Sequence, residues 1–456
     1  MGERVPRVDH AHPEYFAEPN HGFAWIRMIG ALIVIYGHSY PLVSGNDMFP
    51  PEWPVQPDHG VLMGFFAMSG FQITESWMRD PHPLRFAVKR VLRLWPPMLT
   101  VSLACALVIG PLVTTLAVGE YFTAHGTWAY VVNNAGMLTL EHHLPGVFTA
   151  NPWHGTINGS LWTLPMELLA YAGLFVLLLM GAGRVRTRWL AVAALVVLAV
   201  VDRWLEHDPG ANSAGSLLSV PLEPLIAFLV AFAIGVVLNL YRIPLSPLAA
   251  GAALVALFAM PMSTATSFWM TLSVSYAVVV TGHFWPARLR VPAVWVNGSY
   301  GVYVWGFPIQ QLLVMAGVRN QWLMLACAAP LAYVVGTLSW KFVEEPTMGL
   351  RHYVPGGRST RERGAERVPG AGAARPEAPT GAVSDGREGA APEVVEPEPS
   401  GRGKEPVSSA RAGDSEPALD DRPTEPLGTT PIVPVEVAPD ETAPVLPRVP
   451  PRRQEE

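Results

Sequence analysis

Arg27 and His38 stand eleven residues apart inside the first apolar stretch of the chain, which runs from Ala24-Trp25-Ile26-Arg27 to Gly37-His38-Ser39. Ionisable groups are expensive within apolar helices, so they are the first place to look for chemistry. At about 100° per residue the separation is roughly 20° off three full turns. Both side chains then face one way, about 16 Å apart along the axis. An imidazole in such a seam serves as a general base or as a nucleophile. The plainer reading is that Arg27 snorkels to headgroups and His38 is a satisfied core histidine.

Glu167 lies in Gly159-Ser160-Leu161-Trp162-Thr163-Leu164-Pro165-Met166-Glu167, about 9 Å below the start of its apolar stretch. A carboxylate there requires a proton or a cationic partner, and an imidazole or the Arg27 seam is the natural one. The alternative is a structural helix-to-helix hydrogen bond. In Lys89-Arg90-Val91-Leu92-Arg93-Leu94-Trp95-Pro96-Pro97, Arg90 and Arg93 are one turn apart. Paired guanidinium groups at a membrane entrance suit bidentate binding of a phosphorylated ligand, against ordinary headgroup contact. Ser69-Gly70, within Gly64-Phe65-Phe66-Ala67-Met68-Ser69-Gly70-Phe71, permits close helix approach. Its neighbours do not make the Gly-x-Ser-x-Gly nucleophile elbow.

These residues sit in a chain of 456, half apolar and 15% charged, that nevertheless carries 45 prolines. The last 106 residues hold 18 of those prolines with 14 Lys/Arg and 19 Asp/Glu, and no aromatic after Tyr353, so the rest is far more apolar than the average. Most of the formal charge of -6 belongs to that tail. The pattern excludes a soluble enzyme, a coiled coil and a basic nucleic-acid binder. It predicts an all-α polytopic transmembrane bundle in contact with lipid, followed by a disordered extension. Cys105 and Cys327 lie in apolar runs and supply neither a disulfide framework nor a thiolate metal site.

A bilayer core needs about 20 apolar residues per helix. Windows of that kind begin near Ala24, Gly60, Met98, Leu161, Trp189, Val220, Leu245, Thr266, Val296 and Trp322, predicting about ten spans, the seventh being the weakest. Alternate connections divide sharply in basic residues. One set carries Arg79, Arg85, Lys89, Arg90, Arg93, Arg184, Arg186, Arg188, Arg242, Arg288 and Arg290, and the other only Arg203 and Arg319. The positive-inside rule then places both termini in the cytoplasm. Residues 1–20 read as a cytoplasmic segment without a cleaved signal peptide, 21–350 as the membrane domain, and 351–456 as a Pro/Glu/Arg-rich disordered cytoplasmic tail. The long outer connection, about 119 to 159, mixes Tyr121, Trp128 and Trp153 with His142, His143 and His154, and suits short interfacial pieces or a substrate vestibule.

Taken in order, these motifs resemble the acyltransferase 3 family of bacterial integral-membrane O-acyltransferases, over about residues 20 to 350. Arg27 and His38 match its Arg, ten residues, then His. Phe65 to Phe71 match Phe-Phe-x-x-Ser-Gly-Phe, and Arg90, Arg93 and Pro96 match Arg-x-x-Arg with its proline. Trp162 to Glu167 resemble Trp-Ser-Leu-x-x-Glu, Ser299 to Tyr303 resemble Ser-Tyr-x-x-Tyr, and Phe342 to Pro346 resemble the closing aromatic-x-Glu-x-Pro. The chain departs at Gly306, where many members have His, and at Met63, where many have Asp.

The resemblance implies a protein of the bacterial cell membrane whose co-substrate is acyl-CoA, usually acetyl-CoA, with no permanently bound cofactor and no metal. Arg90, Arg93, Ser69, Tyr300 and Tyr303 would bind the donor, and Arg27 would steady its thioester. His38 would act as general base or transient acyl carrier, with Glu167 orienting it. The acceptor would be a hydroxyl of a carbohydrate, another cell-envelope component or a small molecule. Nothing in the sequence signals an oligomeric state. The rival classes are a proton-coupled transporter or flippase of a glycan or lipid precursor, and a membrane scaffold working through its tail. Half-helix breaks or a repeat in two halves would favour transport, and neither is visible.

Overall fold

The structure is a computed structural model that describes residues 21–354 apart from 50–56, 58, 138, 208–215, 218–219, 262 and 290–291. All of these fall in one compact unit, Met1–Ala371. The expected N-terminal segment 1–20 and the expected tail, from 355 on, lie outside the described residues.

Among the described residues the fold is all-α apart from one small hairpin. Its principal helices are α1 (His21–Ser44), α2 (His59–Arg79), α3 (Pro83–Ala104), α4 (His125–Gly136), α5 (Thr163–Leu179), α6 (Trp189–His207), α7 (Leu222–Leu240), α8 (Pro247–Ala259), α9 (Thr264–His283), α10 (Ser299–Met315) and α11 (Gln321–Ser339). The hairpin pairs β1 (Ser216–Leu217) antiparallel with β2 (Val220–Pro221), Leu217 facing Val220. Among the described residues, five helical stretches are long and apolar enough to cross a bilayer: Gly22–Ser44, Pro83–Val113, Gly159–Leu179, Leu222–Leu240 and Gln321–Gly349. Both cysteines are free.

One boundary differs from expectation. The third apolar window opens at Met98, but α3 begins at Pro83, with His82 capping the Arg85 amide. The Lys89–Arg93 element is therefore not a connecting loop. It lies within the helix, which fixes the direction in which each guanidinium projects. Hydropathy missed these turns because Arg85, Lys89, Arg90 and Arg93 all fall in them. Pro96 and Pro97 follow immediately and leave the carbonyls of Leu92 and Arg93 without their usual amide donors.

Helix contacts rely on small residues. A Cβ on Gly70 of α2 would stand 2.1 Å from the Phe232 carbonyl oxygen of α7, and one on Gly235 of α7 would stand 2.0 Å from that of Ala67 of α2. The two backbones touch, so the packing reading of Gly70 holds while Ser69 beside it is left for the interior. Gly301 and Gly336 perform the same service between α10 and α11.

The long connection, residues 119–159, is tied to the bundle by amides. Pro308 removes the donor that would have bonded the Val304 carbonyl, and Asn158 Nδ2 supplies one at 3.0 Å. Buried Gln311 donates from Nε2 to the carbonyls of Thr156, at 2.8 Å, and Trp153, at 3.0 Å. Gln310 donates to the Ile35 carbonyl at 2.8 Å and to Ser39 Oγ at 3.0 Å, tying α10 to the turn of α1 that carries His38.

At the other end the turn between α2 and α3 is closed by Asp80. It accepts from Arg85 Nε at 2.9 Å and Lys89 Nζ at 3.0 Å, and also from the second Arg85 nitrogen. The Arg85 hydrogen bonds hold this carboxyl well below the usual carboxylate range, against a smaller opposing effect of burial. A depressed folded pKa means that the contribution is full above the unfolded value of about 3.9 and is lost as pH falls below it. Asp80→Asn should lower stability near neutral pH by up to about 1 kcal/mol, as for other partly exposed pairs. It should also flatten the acid limb of the thermal-unfolding profile of the protein in nanodiscs.

Candidate active site

The helices enclose two adjoining cavities, called inner and outer after the orientation expected from the basic residues of the sequence. The inner one, about 530 Å³, opens among the basic residues at the start of α3. The outer one, about 640 Å³, lies beneath the long connection.

Seven of the eight residues singled out from sequence line the inner cavity: Arg27, Ser69, Arg90, Arg93, Glu167, Tyr300 and Tyr303. They come from α1, α2, α3, α5 and α10. His38 lines the outer cavity instead, and Tyr303 lines both. Arg27 and His38 thus open onto successive chambers along α1 and do not share one.

The cations are held by a mixture of neutral, aromatic and acidic groups. Arg27 Nη1 donates to Gln72 Oε1 at 2.7 Å. Arg90 reaches Ser76 Oγ at 3.4 Å and lies over the rings of Phe86 and Tyr171, 5.5 and 5.9 Å from their centroids. Its Nε is buried and has no hydrogen-bond partner among the described residues. Arg93 lies 5.1 Å over the ring of Tyr300 and 6.0 Å from that of Trp340, and pairs with Glu344 at 3.3 Å. Guanidinium groups packed on aromatic faces keep donors available for an incoming anion.

Glu167 lines the cavity that holds Arg27, one of the two partners expected for it, and its Oε1 accepts from the Tyr171 hydroxyl, one turn along α5. Residues four apart on a helix face the same way, so the pair is local, and the spacing of Glu167 and Tyr171 in the sequence already contains it. His38 meets the edge of the Phe307 ring, 5.2 Å between centroids. Tyr303 bonds Thr163 through its hydroxyl at 2.6 Å, and the Tyr300 hydroxyl is buried without a partner among the described residues.

Two contributors were missed. Glu344, 1% exposed, lies in a π turn over Trp340–Glu344 that follows α11, and pairs with Arg93 of α3. Its family-like motif marked it, but a helix C-terminus gave no reason to expect burial. Glu75, 2% exposed, accepts from Asn239 Nδ2 at 3.2 Å and Arg242 at 3.1 Å, next to Ser76 in α2. No group of three or more His, Cys, Asp or Glu suited to a metal occurs among the described residues.

The acyltransferase domain family matches residues 20–341, and the chain belongs to that acyltransferase 3 family; it is an acyltransferase. Among its relatives is nodulation protein 10 of Rhizobium leguminosarum bv. viciae, 26% identical over 74% of this chain and 96% of that protein. Another is the O-acetyl transferase of Shigella phage Sf6, 23% identical over 71% of this chain and 94% of its own length. No solved structure matches the chain.

Removing the Glu344 carboxylate would leave Arg93 half-buried without its anion. Glu344→Ala should cost about 3 kcal/mol, read as a fall in the thermal midpoint of the protein in nanodiscs. Glu344→Gln, which keeps a hydrogen-bond acceptor, should cost less.

Proposed function

We propose that the protein is a membrane O-acyltransferase that moves an acyl group, acetyl in the simplest case, from cytoplasmic acyl-CoA to a hydroxyl of a carbohydrate or other envelope or small-molecule acceptor. The observation that carries this reading is the two-chamber arrangement. Arginines gather at the mouth and floor of the inner cavity, and an imidazole stands in the outer one across a shared boundary. The O-acetyl transferase among the relatives supports the choice of oxygen as acceptor atom.

The ten helices over the ten apolar windows are taken as ten crossings with both termini cytoplasmic. The support is the basic residues gathered at one end of the helices, where Arg242 meets Glu75 and Asp80 holds Arg85 and Lys89. The inner chamber then faces the cytosol, the acyl-CoA pool. Arg90 and Arg93 hold donor phosphates in a bidentate or stacked manner. Arg27, about 16 Å below His38 along α1, steadies the pantetheine arm, with Ser69 and Tyr300 along its path.

His38 takes the proton of the acceptor hydroxyl as its oxygen adds to the thioester carbonyl carbon. The carbon–sulfur bond then breaks, the CoA thiolate withdraws into the inner chamber and gains a proton from the cytosolic side, and the imidazolium releases its proton outward. The products are an ester and free CoA. Glu167, held by Tyr171, adds negative charge at the arginine cluster, which makes its role electrostatic positioning of the donor.

His38→Ala, inserted and accumulated at normal levels, should lose about 100-fold or more of its transfer rate, the scale of general-base removal. The check is mass spectrometry of envelope glycans, lipids and small metabolites from cells making each form, following the acyl mass increment. Transfer at the wild-type rate would refute the assignment. Arg90→Gln with Arg93→Gln should raise the KM for acyl-CoA at least tenfold before kcat changes; an unchanged KM would return the pair to a topological role.

A further inference from the structure

The inner and outer cavities have two lining residues in common, Leu62 of α2 and Tyr303 of α10. The Tyr303 ring is 8% exposed, meets the Phe65 ring at 6.4 Å between centroids, and is fixed by its hydroxyl on Thr163 Oγ1 at 2.6 Å. Phe307, one turn along α10, carries the boundary onward to the His38 ring. Polar groups gather on the inner side, the imidazole stands on the outer side, and the side chains between them are mostly hydrocarbon.

That boundary places the reacting carbon, given the proposed function on which this inference rests. An acceptor oxygen must come within about 3 to 3.5 Å of the carbonyl carbon for transfer. With the donor arm entering from the inner chamber and the acceptor from the outer, the two meet where the chambers meet. In the tetrahedral intermediate, sulfur points inward and the acceptor oxygen outward. The oxyanion and the acyl chain are left to face the walls. Of the two side chains common to both chambers, Tyr303 carries a hydroxyl and Leu62 is wholly apolar. The oxyanion therefore falls to the Tyr303 and Thr163 hydroxyls, and the acyl chain to Leu62.

We propose that Leu62 sets the acyl chain length, its isobutyl group occupying the space that any chain longer than acetyl would need. Leu62 is 8% exposed and belongs to the main hydrophobic cluster, so it cannot swing into solvent to make room. A mismatch of one methylene in such a pocket discriminates by roughly 10- to 200-fold. Trimming Leu62 to alanine removes an isopropyl group, which exceeds the extra ethylene of butyryl over acetyl.

The test uses the full-length protein in nanodiscs with equal acetyl-CoA and butyryl-CoA. The acceptor is the lipid and glycan extract of the cells that make the protein, and the ester products are counted by mass. Leu62→Ala should raise the butyryl-to-acetyl product ratio at least tenfold, while Leu62→Met, which conserves volume, leaves it within twofold. Leu62→Val, the milder change, should shift propionyl over acetyl in the same direction and stands in if the alanine form does not fold. An active Leu62→Ala or Leu62→Val whose ratio stays within twofold of wild type overturns the inference alone. Wild-type protein that transfers neither acyl group overturns the proposed function and this inference together.

Discussion

Cations inside an apolar bundle need company, and the arrangement of the interior follows from how Arg27, Arg90 and Arg93 find it. A single guanidinium in hydrocarbon is costly. Here three converge on one cavity, where a carboxylate, an amide, a hydroxyl and several aromatic faces surround them. Only Arg93 has a direct acidic partner among those contacts. The cluster as a whole is electropositive, and a bound polyanion would complete it. Under the proposed function, such a cavity is preorganised for its charged donor.

The scaffold around the cavity is built to hold that arrangement still. Helices α2 and α7 touch backbone to backbone at Gly70 and Gly235, which fixes the turn from which Gln72 and Ser76 reach Arg27 and Arg90. Glu75, bonded to Asn239 and Arg242, pins the same turn from its other side. At the outer end, Gln310, Gln311 and Asn158 convert backbone carbonyls of α1, the loop and α10 into a rigid roof over His38. Glu75, Asn158, Asn239, Gln310 and Gln311 are all buried, and buried hydrogen bonds of this kind favour one packing where apolar residues alone would permit several.

Much of this was legible in the sequence. The ionisable residues in apolar stretches were few, and seven of the eight chosen from motif and spacing surround one cavity. Helical periodicity placed Arg27 and His38 on one seam, which the structure keeps as two chambers in series. Three features were hidden. Charge density masked the first turns of α3, because hydropathy averages away arginines that a cavity can accommodate. Glu344 lies in a π turn, which no periodicity announces. The boundary at Leu62 and Tyr303 depends on two helices distant in sequence and could not be read from either.

The central claim is that a cytosolic donor chamber and an outward acceptor chamber meet at one boundary, and side-specific cysteine labelling tests it most directly. With Cys105 and Cys327 replaced by serine, Ser69→Cys should react with a membrane-impermeant maleimide only from the cytosolic face, and acetyl-CoA should protect it. Trp153→Cys, on the outer cavity, should react only from the opposite face and ignore acetyl-CoA. Labelling of both positions from one side, or no protection of the inner position at saturating acetyl-CoA, would contradict the two-chamber mechanism.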